Sequence, residues 1–383
     1  MPDGFTFINI AITSILVIAT SIILFLSLNN LHLIKKVSIN GQLLFTLLVF
    51  WGIITLVRGF SLSLQDWVTN FGNVYMGIAW LTPLTLLLGL KIQNWNVILK
   101  VIPVAFTFMI IVSLFIPIIE TNEEWIWLLR PVNFIFLVAF YYYGFTNRVK
   151  TFLVLICYIL VSFLGARRLE FLYLLLIGGL LLMDKIIALK LRKVILRTGL
   201  FFFTVLLILI FTIGYEHISG IVATYMKYQD TRTFLFREVM QELSFSEKIF
   251  GRGSLGTYYS HFFEHTRRYT INILKKPWWG DVPTRITVEV GYLQMILKGG
   301  FIMFILQITT YFYAIYLAVF KSNNTFIKRL GYYVLTITVV SLVEFRPSFT
   351  PTFILLWVSI GTVFNKKYRM MNNVEIKNLI KLK

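Results

Sequence analysis

Cysteine and acidic residues are scarce in this sequence. Cys157 is the only cysteine among 383 residues, so an intrachain disulfide is excluded. The chain has 17 acidic residues against 36 basic ones, and charged residues make up only 14% of it. The first residues also lack the basic segment and the small-residue cleavage site of a secretory signal peptide. We therefore expect the first apolar run to be retained as a helix.

Long apolar runs dominate the chain instead. Hydrophobic residues make up 58% of it, and the mean hydropathy is +0.79. Roughly 20 apolar residues cross a bilayer as a helix, and a helix satisfies its own backbone polar groups in lipid. The sequence therefore predicts an all-α polytopic membrane protein with about 11 transmembrane helices, at residues 5–28, 41–64, 71–90, 98–118, 124–145, 150–165, 169–188, 196–215, 288–319, 329–345 and 348–365.

Basic residues divide the connections between these runs into two sets. The first set is rich in lysine and poor in acidic residues, which is typical of the cytoplasmic side; it includes Lys35, Lys36, Lys91, Lys100, Arg148, Lys150, Lys185, Lys190, Lys321, Lys328 and the tail 366–383. We expect the N-terminus outside and a basic cytoplasmic tail. The net charge of +19 follows from this sorting, so we do not expect nucleic-acid binding.

Residues 216–287 form the one long connection, and we expect it to be a large extracytoplasmic loop containing short helices. Residues 232–248 have helical spacing. The glycine-rich stretch Gly251–Gly256 lacks the Lys-Ser/Thr ending of a nucleotide-binding loop, which favours a structural turn. No repeat or linker divides the chain, so we expect residues 1–383 to form one membrane domain.

Arginine is the main basic residue on the predicted outer side, where topology alone does not require positive charge. Arg58 and Arg130 lie within predicted helices, one or two turns from the outer end, and Arg167 and Arg168 lie in a short outer turn. Snorkelling to lipid headgroups or solvation could explain each of them. The planar guanidinium group also binds phosphate, and Glu170 could orient one such group.

Glu289 precedes the ninth apolar run, at the end of the long loop. A carboxylate that enters a membrane loses solvent, which raises its pKa and suits a general base. The structural alternative is a salt bridge with Lys298 or Arg285. Glu344 and Arg346 in the last outer turn are expected to form an ion pair.

The stretch His261-Phe-Phe-Glu-His265 matches the inverted zinc-peptidase motif, in which two histidines share a metal and a glutamate acts as base. No third ligand follows at a suitable spacing, and the motif lies in an exposed loop. We therefore expect no metal site, although a membrane peptidase remains an alternative that metal analysis would test.

Three stretches carry a resemblance to a known family. Arg168-Leu-Glu-Phe-Leu172 fits an Arg-x3-Leu pattern, and Arg232 leads a helical stretch that ends at Gly251-Arg-Gly-Ser-Leu-Gly256. Glu289-x10-Gly300 is similar to a His-x10-Gly element at the end of an outer loop. In this order the stretches resemble the bacterial O-antigen polymerase and ligase superfamily, which includes Wzy-type polymerases and O-antigen ligases. Many members have histidine where this chain has Glu289.

The resemblance implies a metal-independent and cofactor-free glycosyltransferase of the bacterial inner (cytoplasmic) membrane. It would transfer a glycan from undecaprenyl pyrophosphate to a lipid-linked repeat unit, making O-antigen of lipopolysaccharide, capsule or exopolysaccharide. A flippase, a chain-length regulator and membrane lipids are the implied partners. Glu289 would activate the acceptor hydroxyl, and five arginines would bind the pyrophosphate: Arg58, Arg130, Arg167, Arg168 and Arg232. Supporting roles fall to Glu170, Arg237, Arg285 and Arg346.

Two other readings stay open. An O-antigen ligase uses the same chemistry with a lipid A–core acceptor, and Glu289 in place of histidine weakens that assignment. A lipid-linked oligosaccharide flippase or another transporter also uses cationic residues in a membrane cavity. Transporters tend to have repeated halves, charges at the midplane and discontinuous helices.

Overall fold

The computed structural model describes residues 7–60, 63–115, 168–186, 194–199, 231–272 and 284–380, together with single residues 134, 156, 159, 191, 201, 202, 204 and 205. This part of the chain is mostly helical, as the sequence predicts. The predicted helices 124–145 and 150–165, and most of 196–215, lie outside the described residues. The predicted loop 216–287 is described only in part.

The helices are named here in chain order: α1 Phe7–Leu28, α2 Ile39–Val57, α3 Leu64–Gly72, α4 Leu86–Gly89, α5 Asn94–Phe115, α6 Arg168–Ile186, α7 Thr231–Glu242, α8 Phe245–Phe250, α9 His261–Asn272, α10 Gly291–Phe320, α11 Thr325–Val340, α12 Pro351–Phe364, α13 Lys366–Met370 and α14 Asn373–Ile380. Two 3₁₀ helices span Leu31–Lys36 and Gly77–Thr85. The strands β1 Tyr258–Tyr259 and β2 Thr284–Arg285 pair antiparallel, with Tyr258 opposite Arg285.

Within the described ranges, three helical stretches are long and apolar enough to cross a membrane: Ile39–Val57, Asp66–Gly89 and Gly291–Phe320. Shorter apolar helices cover Ser14–Leu28, Leu172–Met183 and Pro351–Phe364. These lengths and compositions agree with a membrane protein.

The stretch Asp66–Gly89 is interrupted, so the prediction of one continuous helix over 71–90 is wrong. Helix α3 ends at Gly72, and a 3₁₀ helix containing Pro83 precedes α4. Proline has no backbone N–H to donate, which disfavours an α-helix there. Helix α2 crosses this segment at Gly52, where a Cβ atom would lie 2.4 Å from the Trp80 carbonyl oxygen. The interruption therefore lies in a tightly packed part of the bundle.

The beginning of α10, up to Gly300, is surrounded by protein. Every residue from 291 to 300 is buried, including the polar side chains of Gln294 and Lys298. A helix buried on all sides lies in the interior of a bundle rather than facing lipid. Helices α11 and α12 pack beside it.

Helix α10 breaks at Gly300, which has a left-handed φ of 70° and a ψ of −175°. A break of this kind ends the i to i+4 hydrogen bonds and leaves the preceding carbonyls without helical partners. Protein groups from elsewhere take their place. The backbone N–H groups of Arg252 and Gly253 donate to the carbonyls of Leu297 and Lys298 at 2.8 and 2.9 Å. The indole N–H of Trp51 donates to the Gly299 carbonyl at 2.7 Å.

The connections predicted to share the lysine-rich side lie together at one end of the described bundle. Val37 forms a backbone bridge with Asn365. The Tyr368 hydroxyl donates to the Leu90 carbonyl at 3.1 Å, and the backbone N–H of Asn323 donates to the Arg369 carbonyl at 2.8 Å.

The connections predicted to share the arginine-rich side lie together at the other end. The backbone N–H of Phe349 donates to the Val74 carbonyl at 2.7 Å, and Val290 forms a bridge with Phe345. The grouping of connections at two ends therefore agrees with the charge sorting of the sequence.

Replacing Gly300 by alanine is expected to unfold this region. A Cβ atom there would lie 2.0 Å from the Ile249 carbonyl oxygen, at a φ that alanine rarely adopts. We expect Gly300→Ala to lose at least about 2 kcal/mol of stability, seen as a lower melting temperature of detergent-solubilised protein. Gly178→Ala is the matched control, because nothing lies within 4 Å of its added Cβ. Equal melting temperatures for the two variants would contradict the break at Gly300.

Candidate functional site

The glycine-rich segment 250–256 lies against the ends of two helices, and Arg58 holds it there. The Arg58 guanidinium donates to the carbonyls of Phe250 and Gly251, the latter at 2.6 Å. Helix α2 ends at Val57, and Arg58 is its C-terminal cap residue. The prediction that Arg58 lies one or two turns inside a transmembrane helix is therefore wrong, because the helix ends one residue earlier.

Ser254 anchors the same segment from the other side. Its backbone N–H donates to the Thr55 carbonyl at 2.9 Å, and its hydroxyl donates to Asn70 Oδ1 at 2.6 Å. Gly253 has a φ of 83°, and a Cβ atom on it would lie 2.8 Å from the Arg58 carbonyl. Glycine is needed here because the two backbones touch. The segment is a structural turn, as the sequence predicts.

Arg252 joins this turn to α7 and α8. Its guanidinium donates to Glu247 at 2.9 Å and to Glu242 at 2.7 Å. Glu247 also forms a capping box with Ser244, the N-terminal cap of α8. The hydrogen bond from Arg252, followed by the one from the Ser244 backbone, lowers the pKa of Glu247 to about 2. The predicted helical stretch 232–248 is thus two helices, because Ser244 starts a new one.

An open cleft of about 540 Å³ lies beside this turn, and we refer to it as the Arg58 cleft. Its described lining residues are Arg58, Gly59, Phe60, Glu247, Gly251, Arg252, Leu255, Gly256 and Thr257. A guanidinium group has five N–H donors. The donors of Arg252 are all engaged by Glu242, Glu247 and Thr257, whereas Arg58 can hold the turn and still offer donors to an anion in the cleft.

Glu289 forms a second charged group, near the start of α10. Its carboxylate accepts a hydrogen bond from Arg285 Nη2 at 2.9 Å, and its side chain is 53% exposed. Of the two partners that the sequence left open, Arg285 is therefore the observed one. Lys298 is fully buried and donates to the Gly256 carbonyl at 2.7 Å. The burial expected for Glu289 is not found.

Arg346 lies next to the same stretch of chain. It donates to the Thr287 hydroxyl at 2.9 Å, and its guanidinium lies 3.8 Å from the centre of the Tyr75 ring. The bridge between Val290 and Phe345 explains this proximity, because it joins the last outer turn to the residues before α10. We refer to Arg285, Glu289 and Arg346 as the Glu289 cluster. Arg285 is hydrogen-bonded to the accessible Glu289 carboxylate, and Arg346 is attached to the same stretch of chain through Thr287.

Arg285 is held firmly within this cluster. It lies in β2, its side chain is 18% exposed, and its guanidinium lies 5.1 Å from the centre of the Phe263 ring. Its strand partner Tyr258 is buried, and burial raises the pKa of the Tyr258 hydroxyl to about 12. Tyr258 therefore stays neutral at physiological pH and does not compete with Glu289 for the positive charge.

The remaining predicted site residues are less fully described. Arg130 and Arg167 lie outside the described residues. Arg168 begins α6, Glu170 follows in its first turn, and Arg232 lies in the first turn of α7; their side chains are outside the description. Arg237 lies on the exposed side of α7. Arg285 is thus hydrogen-bonded to Glu289, Arg346 lies against the same stretch of chain, and Arg58 lines a separate cleft.

Two residues that help to form these sites were not identified from the sequence. Arg252 is central to the Arg58 cleft, yet it was one loop arginine among several. Thr287 accepts a hydrogen bond from Arg346 and so holds it near the start of α10, and nothing in the sequence around Thr287 indicates this role. The sequence does contain the pair Gly299-Gly300, which weakens a helix, and the turn contacts α10 at this pair.

Within the zinc-peptidase motif, the structure describes the side chains of His261 and Glu264 but not that of His265. Glu264 is hydrogen-bonded by Arg267 and Arg268 at 3.1 and 2.7 Å, and these bonds lower its pKa. No three His, Cys, Asp or Glu side chains cluster in the part of the chain that is described. The glutamate of the motif therefore neutralises neighbouring arginines.

Comparison of the chain with protein-family models, characterised proteins and solved structures finds no match.

The pKa of Glu247 predicts how stability depends on pH. Because its folded-state pKa of about 2 lies below the ordinary value of 4.5, the pair with Arg252 stabilises the fold above pH 4.5. This contribution is lost as the pH falls towards 2. We expect Glu247→Gln to melt at a lower temperature than the wild type near neutral pH, and the difference to vanish in acid. A difference that stays constant across this range would contradict the assignment.

Proposed function

We propose that the chain is a membrane-embedded polysaccharide polymerase, a glycosyltransferase that transfers a glycan from undecaprenyl pyrophosphate to a lipid-linked repeat unit. The single observation that supports this best is the Glu289 cluster. It combines an accessible carboxylate, a guanidinium group hydrogen-bonded to it and a second guanidinium attached to the same stretch of chain, next to the beginning of α10, which is buried on all sides. The resemblance of the three sequence stretches to O-antigen polymerases supports the same reaction.

The chemistry needs one base and stabilisation for a leaving diphosphate. The acceptor hydroxyl oxygen attacks the anomeric carbon of the donor glycan while the bond to the diphosphate oxygen breaks. Glu289 takes the proton of that hydroxyl, and the half-exposed carboxylate leaves room for an acceptor. Arg285 orients this carboxylate through their shared hydrogen bond.

Arginine side chains would stabilise the departing diphosphate in place of a metal ion. Preorganised positive charge aimed at a developing anion is among the largest contributions to catalysis. Arg346 is held by Thr287 and Tyr75 near the start of α10. Arg58 and Arg252 line the Arg58 cleft, and we assign Arg130, Arg167, Arg168 and Arg232 to the same diphosphate region as part of the proposal.

The membrane arrangement belongs to the same proposal. We infer about 11 transmembrane helices in a bacterial cytoplasmic membrane, with the long loop 216–287 outside and the tail 366–383 inside. A flippase would deliver the lipid-linked substrate to the outer leaflet, and a chain-length regulator would act with the polymerase.

A transporter of lipid-linked oligosaccharide is the second candidate, because the break at Gly300 and the interruption before Gly77 make two discontinuous helices. In transporters the carbonyls freed by such breaks bind ions. Here the freed carbonyls accept hydrogen bonds from Arg252, Gly253 and Trp51, which supports a structural role for the break. A ligase is less favoured, because Glu289 stands where many ligases have histidine.

Glu289→Gln is expected to abolish polymer formation without lowering the amount of folded protein. It keeps the side-chain shape but takes away the base, so we expect polymer formation to fall by about 100-fold or more. Reconstituted protein with a lipid-linked repeat unit, analysed by the length of its polymer products, provides the measurement. Glu375→Gln, in α14 at the opposite end of the bundle, is the control.

Two outcomes would contradict the polymerase. Normal polymer lengths from Glu289→Gln would exclude the proposed base. Movement of a labelled lipid-linked glycan across proteoliposome membranes by a wild-type protein that makes no polymer would favour the transporter.

Cysteine labelling would test the proposed orientation. In a Cys157→Ser background, Phe245→Cys places a thiol on the long loop and Lys367→Cys places one on the tail. We expect a membrane-impermeant maleimide to label Phe245→Cys in intact spheroplasts, and Lys367→Cys only after permeabilisation. The reverse pattern would overturn the assigned sides.

A further inference from the structure

A second cleft lies on the surface of α7, separate from the Arg58 cleft. Its volume is about 460 Å³, within the range of about 300–1,000 Å³ that is usual for small-molecule sites. Its described lining residues are Arg237, Glu238, Gln241, Glu242, Tyr259 and His261. We refer to it as the Tyr259 cleft.

Helix α7 provides one polar wall of this cleft. Glu238 and Glu242 are four residues apart, as are Arg237 and Gln241, so the four side chains share one side of the helix. The opposite side carries the buried residues Leu235 and Val239. Packing of this apolar side fixes the direction in which the polar groups point.

The other wall is aromatic and is tied to α7 by hydrogen bonds. The Ser260 hydroxyl donates to Glu238 at 2.7 Å, and the backbone N–H of Tyr259 donates to Glu242. The rings of Tyr259 and His261, on either side of Ser260, meet edge to face with centroids 4.7 Å apart. The Tyr259 side chain remains 36% exposed. An accessible aromatic surface is therefore held in place before any ligand arrives.

We propose that the Tyr259 cleft binds an uncharged sugar residue of the lipid-linked glycan; this identification of the glycan rests on the proposed function. A sugar ring has an apolar C–H face that packs on an aromatic ring, and a rim of hydroxyl groups. Carboxylates accept hydrogen bonds from such hydroxyls, and an amide both accepts and donates them.

The charges of the lining residues favour a neutral sugar over an anion. The described lining has two carboxylates and one guanidinium, and the carboxylate of Glu242 is already paired with Arg252. The cleft therefore has no excess of positive charge that would attract a phosphate or an acidic sugar. The diphosphate therefore belongs near the arginines of the Arg58 cleft and the Glu289 cluster. Glu242 connects the two regions, because it accepts hydrogen bonds from both Arg252 and Tyr259. The geometry separates sugar recognition from charge stabilisation within one folded segment.

Loss of sugar binding in the Tyr259 cleft is expected to lower the affinity for the substrate without slowing the chemical step. The experiment uses full-length protein in detergent and short neutral oligosaccharides released from the surface polysaccharide of the host cell. Binding is measured by saturation-transfer NMR, and KM and kcat for the lipid-linked acceptor are measured on reconstituted protein. We expect Tyr259→Ala and Gln241→Ala to weaken binding and raise KM about tenfold, with kcat unchanged.

Matched variants separate a binding role from loss of folding. Tyr259→Phe keeps the aromatic face and should bind as the wild type does. Phe245→Ala removes an aromatic side chain from the same segment outside the cleft and should change nothing. Oligosaccharide binding by Tyr259→Ala equal to that of the wild type, or no binding by the wild type, would overturn the proposal.

The two proposals fail in different ways. If the wild type makes no polymer yet binds oligosaccharide in a Tyr259-dependent manner, the polymerase is excluded and the sugar site stands. If the wild type makes polymer and Tyr259→Ala makes it with an unchanged KM, the polymerase stands and the sugar site is excluded.

Discussion

The break in α10 at Gly300 is the constraint on which the rest of the described structure depends. It leaves the carbonyls of Leu297, Lys298 and Gly299 inside the bundle, where unpaired polar groups cost several kcal/mol each in an apolar medium. The turn 251–254 and Trp51 provide the missing donors. The same turn also hydrogen-bonds to the end of α2. A segment that is distant in sequence is thereby fixed against two helices, and the charged clefts form around it.

Among the described side chains at this end of the molecule, several arginines are paired with carboxylates. Arg252 is paired with Glu242 and Glu247, Arg285 with Glu289, and Arg267 and Arg268 with Glu264. Such pairing fixes each guanidinium in one orientation. For a reaction that expels a diphosphate, fixed donors are more useful than mobile ones, because they need no reorganisation as charge develops.

Helix prediction from the apolar runs agrees with the structure for several runs. The predicted helices 5–28, 169–188 and 329–345 correspond to α1, α6 and α11, with ends that differ by a few residues. It failed at 71–90, because hydropathy cannot distinguish an α-helix from a 3₁₀ helix of the same composition. It also failed at Arg58, where the end of α2 is set by the turn that docks on it. Glu289 was selected as a candidate because it stands alone before an apolar run.

Apolar length and charge sorting are local properties, so the sequence alone predicts a membrane protein, its approximate helices and the division of the connections between two ends. The partner of Glu289, the burial of Lys298 and the cleft between Tyr259 and α7 become apparent only in the folded chain. These features depend on hydrogen bonds between residues far apart in the chain, such as Arg252 with Leu297 and Arg58 with Gly251. No pattern within a single segment carries that information, since the donors and acceptors become neighbours only when the bundle has closed.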